Sequence, residues 1–189
     1  MSTRYRMTLG DIGESAATRE LRARGWNVDN LNHNKRNFPN CDLEARRGDQ
    51  VWRIQVKVCS VYAWISAGGV NASICEGGPI FNRVPGYPKS EFILCLTPSA
   101  PAPKGTQPSE WRFFVLPVLV AEAAFRINID AYFNGLKLDG TPRSKNGACQ
   151  DFVGPGPFRT GTVPDHHEDY APYEGRFDLL ETRARFRTR

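Results

Sequence analysis

Two alternating segments, 41–46 and 51–59, flank the turn Arg47-Gly48-Asp49-Gln50 and carry the side chains most able to do chemistry. A two-residue hairpin loop at Gly48-Asp49 sets Asp42 opposite Gln55, Glu44 opposite Arg53 and Asn40 opposite Lys57. Side chains alternate along a strand, so Asp42, Glu44, Arg53, Gln55 and Lys57 share one face. Leu43, Ala45, Trp52, Ile54 and Val56 share the other. The plain alternative for the polar face is a solvated surface with a cross-strand Glu44–Arg53 ion pair. A further residue, Glu14, lies upstream. It precedes Leu21 by seven positions, which places the two within roughly 20° around a helix, and Ala17 flanks it. A carboxylate on the inward side of a helix needs a partner, a metal or an open cleft. The competing explanation is a first-turn glutamate favoured by the helix dipole.

The elements that must position these groups follow from periodicity. Leu9, Ile12, Ala16, Ala17 and Leu21 have helical spacing over 9–25, and Gly25 is a plausible stop. A short strand is expected at Trp26 to Leu31, then a polar loop from Asn32 to Asn40. Beyond the hairpin, 60–90 is rich in Gly, Asn and Pro and suits an elaborated loop or a small hairpin. Glu91 to Thr97 is a continuous apolar run, the pattern of a strand covered on both faces. After the Pro-rich stretch 98–108, a strand is expected at Trp111 to Leu116. A helix opened by Pro117 should then run to about Phe133. Residues 134–172 read as loop, and a last helix is expected over Tyr173 to Arg185. The whole chain, 1–189, is expected to be one domain, with an irregular insert at about 60–90 and a loop-rich extension over 134–189.

Composition is that of a soluble protein large enough to bury a core: 189 residues, 40% hydrophobic and 24% charged. The formal net charge of +5 permits a polyanionic partner. The five cysteines are odd in number and include no C-x-x-C pair, against a disulfide framework or a cysteine zinc site. Several lie inside apolar runs, where a free Cys is expected to behave as a small buried hydrophobe. No signal-like or membrane-length apolar stretch is present, so a cytoplasmic location is expected.

A helix bearing Gly10-Asp11-Ile12-Gly13-Glu14, a strand with Asp42, a strand ending Ile54-Gln55-Val56-Lys57-Val58, then two apolar strands and a helix: this order resembles the PD-(D/E)XK nuclease superfamily. That is the restriction-endonuclease-like fold, which includes Holliday-junction resolvases of the archaeal type. The resemblance spans roughly Leu9 to Phe133 and is specific at Glu14, Asp42, Gln55 and Lys57. It implies an α/β fold with an αβββαβ core and a central mixed sheet flanked by helices. It further implies a metal-dependent nuclease, a DNA endonuclease cleaving phosphodiester bonds with an activated water. Asp42 matches the metal-binding aspartate, although Pro39-Asn40-Cys41 spreads the Pro-Asp doublet apart. Gln55 stands at the acidic position of the (D/E)-x-K half and Lys57 is its lysine. The Val56 carbonyl matches the backbone ligand, and Glu14 matches the helix glutamate that contributes through water.

Gln55 is the departure. It removes one negative charge and should weaken Mg²⁺ or Mn²⁺ binding, though its carbonyl oxygen is still a hard ligand. Q-x-K variants occur among active members of the superfamily, and Glu44 is placed to restore some of the charge. The rival readings are a catalytically silent nucleic-acid-binding module and a protein-interaction domain that keep the same fold. Arg46, Arg47 and Arg53 are candidate nucleic-acid contacts, and the alternating Arg183, Arg185, Arg187 and Arg189 can add salt-sensitive phosphate contacts. A homodimer would bring two sites to one duplex. His166 and His167 are adjacent without metal-ligand spacing and suit a loop better than a metal site. Tyr62, Trp64 and Phe81 can stack on bases or anchor a loop core, the latter being the commoner use.

Overall fold

The computed structural model describes residues 8–34, 41–58, 70–75, 78–83, 90–99, 108–123, 126, 139–141 and 171–182. Five strands form one mixed sheet: β1 (Asn27–Asn30), β2 (Leu43–Arg47), β3 (Gln50–Val58), β6 (Phe92–Pro98) and β7 (Trp111–Pro117), in that spatial order. Only β3 and β6 run parallel within it; the other neighbours are antiparallel. A parallel pair needs a crossover, and here the crossover carries a separate hairpin, β4 (Val70–Cys75) with β5 (Gly78–Arg83). This is the small hairpin expected within 60–90.

The helix α1 (Leu9–Ala23) begins where Thr8 and Asp11 cap each other. The Thr8 hydroxyl oxygen accepts the Asp11 N–H at 3.2 Å, and the Asp11 carboxylate accepts the Thr8 N–H at 2.7 Å. That reciprocal pair satisfies two donors that a helix N-terminus otherwise leaves bare. Its buried face, Ala16, Ala17 and Leu21, packs with Leu43, Ile54 and Val56 of the sheet. Gly13 permits a close approach. A Cβ built there would lie 1.8 Å from Val58 Cγ2, so only glycine lets α1 settle onto β3 at this point.

The hairpin has the expected two-residue turn, with Gly48 at φ +60°, a conformation that side chains other than glycine's adopt with strain. Glu44 pairs with Arg53 and Ala45 with Trp52, as alternation requires. On β6 the odd and even side chains serve different cores. Phe92, Leu94 and Leu96 join the cluster under α1, while Ile93 and Cys95 join a second cluster with Phe114, Leu116, Val118 and Ala121. The doubly covered strand foreseen at Glu91 to Thr97 is therefore present.

Residues 118–123 continue from β7 as a helix; the remainder of the expected 117–133 helix is largely outside the described residues. The expected terminal helix over Tyr173 to Arg185 is corrected. Its described part forms two 3-10 turns, Ala171–Tyr173 and Phe177–Leu180. Between them Glu174 bridges to Phe114, and the Gly175 N–H donates to the Phe113 carbonyl at 2.8 Å. The free edge of β7 thus captures this backbone, and its edge hydrogen bonds replace those of a continuous helix. Cys41 and Cys95 are buried, as expected of small hydrophobes. Cys59 and Cys149 lie outside the described residues. Among the described residues no helix is long and apolar enough to cross a membrane.

Candidate active site

Glu14 and Asp42 meet through one amide. The Asn32 Nδ2 group donates to Glu14 Oε1 at 2.8 Å and to Asp42 Oδ1 at 3.0 Å. The remaining oxygens are held from either side. Asn30 Nδ2 donates to Glu14 Oε2 at 2.9 Å, and the Val56 N–H donates to Asp42 Oδ2 at 2.6 Å. Each of the four carboxylate oxygens therefore has its own N–H donor, and all four donors are neutral.

The local folding explains the convergence. Asp42 directly precedes β2, and its own N–H donates to the Ile54 carbonyl at 3.0 Å. Val56, two residues along the same strand, directs its N–H to the same side as Ile54. The carboxylate of Asp42 takes that donor, and the Val56 carbonyl faces the same side. On the other flank, β1 hands over to the four-residue helix α2 (Leu31–Asn34). There the Leu31 N–H donates to the Asp42 carbonyl at 2.9 Å. The Asn32 N–H donates to Asn30 Oδ1 at 3.0 Å, an Asx-type turn in which a side chain stands in for backbone. Glu14 arrives from above on α1, one residue after the Gly13 contact with Val58.

Electrostatically the pair is unbalanced. Neither Glu14 nor Asp42 forms an ion pair among the described residues. Two carboxylates that share one amide donor carry like charges, which repel each other. Neutral amides soften such repulsion without cancelling it. Behind the pair, Cys41 is fully buried, and burial pushes its thiol up from 9.0 to about 11, so it stays a protonated filler.

Gln55 and Lys57 flank Val56 on β3, and alternation turns both toward the sheet face opposite Val56. Gln55 is 7% exposed and Lys57 is half-buried. No hydrogen bond joins either to Asp42 or Glu14 among the described residues. Asn40, expected opposite Lys57, lies outside the described residues. Glu44 is engaged elsewhere. Arg46 pairs with it directly and Arg53 approaches to 3.8 Å, so the cross-strand ion pair is real and Glu44 is not directed at Asp42.

Arg46 and Arg47 sit at the turn end of the hairpin, four and five residues from Asp42, roughly 13–17 Å along an extended strand. Arg46 also meets Asp29 at 3.5 Å. Arg47 meets Glu181 at 3.1 Å and stacks over Trp26, 4.5 Å from the ring centre. Tyr62, Trp64, His166, His167 and the terminal Arg183, Arg185, Arg187 and Arg189 lie outside the described residues, as does the side chain of Phe81. Asn30 and Asn32 escaped the sequence reading. Their only local signal is the asparagine spacing Asn30, Asn32, Asn34 within a polar run that otherwise looks like loop.

The groups brought together here are all oxygen donors, two carboxylates with the Val56 carbonyl on the same side of β3; the Gln55 amide is not joined to them among the described residues. Among the described residues no three of His, Cys, Asp and Glu gather at metal-binding range. The chemistry suits a hard divalent cation, which accepts neutral oxygens beside carboxylates, and offers nothing to a thiophilic metal.

No family model matches the chain, and no curated protein matches it. Among solved structures it is similar to a bacterial homing endonuclease, with 18% identity and a TM-score of 0.40, over 64% of this chain and 72% of the other.

Proposed function

We propose that the chain is a metal-dependent nuclease of the PD-(D/E)XK kind, a DNA endonuclease using Mg²⁺ or Mn²⁺ to hydrolyse phosphodiester bonds. The observation that carries this reading is the Glu14–Asp42 pair, held together by neutral amides with no cationic partner among the described residues. A purely structural carboxylate pair at this depth would be expected to recruit a lysine or arginine.

Asp42, Glu14, the Val56 carbonyl and the Gln55 amide oxygen are the groups that would hold the cation. When bound, it supplies Lewis-acid polarisation of the scissile phosphate and the acidity that makes water a nucleophile at neutral pH. Asp42, fixed by the Val56 N–H, defines where the phosphate sits. Lys57 brings a positive charge that orients the attacking water and offsets charge on the pentacovalent transition state. Arg46, Arg47 and Arg53 would contact the nucleic-acid backbone, giving salt-dependent binding without sequence preference.

The test is cleavage of supercoiled plasmid by purified protein with Mg²⁺ or Mn²⁺, with a single-stranded RNA of similar length as a parallel substrate. Cleavage should stop on chelation and be lost in Asp42→Ala and in Lys57→Ala. Unchanged cleavage by either variant would sink the assignment.

A second reading, a silent nucleic-acid-binding module, is favoured by one specific feature. Gln55 brings no charge to the buried position where an acid is expected. Calorimetric titration with Mn²⁺ separates the two, because a silent module should show no Asp42-dependent binding.

A further inference from the structure

We infer that Asn32 is a positioning residue, whose amide sets Glu14 and Asp42 at the spacing from which a divalent cation can take them over. The inference rests on the proposed metal-dependent reading and deepens it.

The chemistry of the alternatives is instructive. A lysine or arginine at position 32 would cancel one of the two negative charges and leave a cation less to gain. An aliphatic residue would leave two like charges to move apart. A primary amide does neither, since its two N–H groups can each satisfy one carboxylate while the net charge of the pair is kept. Asn32 has that geometry, at 2.8 Å to Glu14 and 3.0 Å to Asp42.

Asn32 is itself held by the elements that carry its targets. Its N–H is bonded to Asn30 Oδ1, whose amide in turn donates to Glu14 Oε2. Asn30 is paired with Leu43, the residue after Asp42, across β1 and β2. Leu31, between the two asparagines, donates its N–H to the Asp42 carbonyl. The Asn30-Leu31-Asn32 turn therefore cannot shift without disturbing both acids. Groups that orient metal ligands in this way typically change metal affinity 10–100-fold when removed.

The experiment measures Mn²⁺ binding directly, by calorimetry and by the loss of the free-ion paramagnetic signal, in the full chain and its Asn32→Ala, Asn32→Asp, Asn30→Ala and Asp42→Ala variants. Melting temperatures with and without Mn²⁺ are recorded alongside. Asn32→Ala should keep the wild-type circular dichroism and bind Mn²⁺ 10–100-fold more weakly. Asn32→Asp replaces the shared donor with a third carboxylate, so the metal-free form should melt lower and recover more on adding Mn²⁺ than wild type does. Asn30→Ala, which frees Asn32 from its turn, should weaken Mn²⁺ in the same direction and serves if Asn32→Ala does not fold. Wild-type Mn²⁺ affinity in Asn32→Ala or Asn30→Ala, with Asp42→Ala still defective, overturns the role of Asn32 and leaves the metal site standing. A lower melting temperature with unchanged affinity marks a purely structural asparagine and overturns it too. Undiminished Mn²⁺ binding in Asp42→Ala overturns the underlying reading instead.

Discussion

The Asp42 carboxylate accepts the Val56 N–H at 2.6 Å, tying a residue that precedes one strand to the later part of the next. The bond is charge-assisted and partly buried. Loss of its acceptor leaves a strand N–H without a partner, at a cost of about 1.5–3 kcal/mol. Asp42→Ala should therefore lower stability by that amount in urea unfolding and abolish metal-dependent cleavage. Asp42→Asn keeps an oxygen for Val56 but presents an NH₂ group to Asn32, itself a donor. It should recover part of the stability and none of the cleavage. Stability equal to wild type in Asp42→Ala would show that the Val56 bond contributes little.

Gly13 sets the distance from which Glu14 reaches the site. Ordinary carbon contacts lie near 3.5–4.0 Å, whereas an added Cβ would sit 1.8 Å from Val58 Cγ2. Alanine gains about 1 kcal/mol of helix propensity over glycine, but overpacking of this kind costs about 1–3 kcal/mol. The steric term should win. Gly13→Ala is expected to be destabilised and to lose cleavage through displacement of Glu14. Gly13→Ala with Val58→Ala should be more stable than the two single changes combined would give, as read by a double-mutant cycle in urea. Additive effects would mean that the helix shifts elsewhere.

How much of this was legible beforehand depends on the range of the interaction. The hairpin, its turn and its register follow from alternation around Gly48, because each is a contact between residues close in sequence. The inward aim of Glu14 is legible from its spacing to Leu21. The pairing of Glu14 with Asn30 and Asn32 was not. Those contacts span 16 and 18 residues, and three spaced asparagines in a polar run have the same local signature whether they hydrate a loop or cradle an acid. The terminal segment failed for a related reason. Tyr173 to Leu180 is compatible with a helix on its own, and only the open edge of β7, some 60 residues upstream (Arg112 to Glu174 is a 62-residue separation), makes a bridge the better solution.

That terminal segment is more than a cover. Trp52 Nε1 donates to the Leu180 carbonyl at 2.8 Å and Gln50 Nε2 to the Glu181 carbonyl at 3.0 Å, while Phe177 and Leu180 are 4% and 1% exposed. Ending the chain at residue 170 removes both buried side chains, each worth about 1.5–3 kcal/mol. The truncated protein should unfold at markedly lower urea concentration. Trp52→Phe isolates the indole bond and should cost about 1 kcal/mol. Because the Arg47–Glu181 pair is exposed, Glu181→Ala should change stability by less than about 1 kcal/mol. A truncated chain as stable as the whole would show that the strap only lies on the surface.

Cys41 offers a pH test of the ground beneath Asp42. Burial raises its pKa from 9.0 to about 11. The folded chain therefore holds this proton where the unfolded chain releases it. The sign follows: between pH 9 and 11 the unfolded state binds fewer protons, so this thiol's contribution to stability is complete below pH 9 and declines as pH rises toward 11. Cys41→Ala should flatten that part of the stability profile relative to wild type. The same proton governs reactivity, because the thiolate is the nucleophile. Iodoacetamide at pH 8.5 should leave Cys41 unmodified in the folded protein and label it after denaturation, as read by peptide mass. Rapid labelling of native Cys41 would place the thiol, and the start of β2 with it, in contact with solvent.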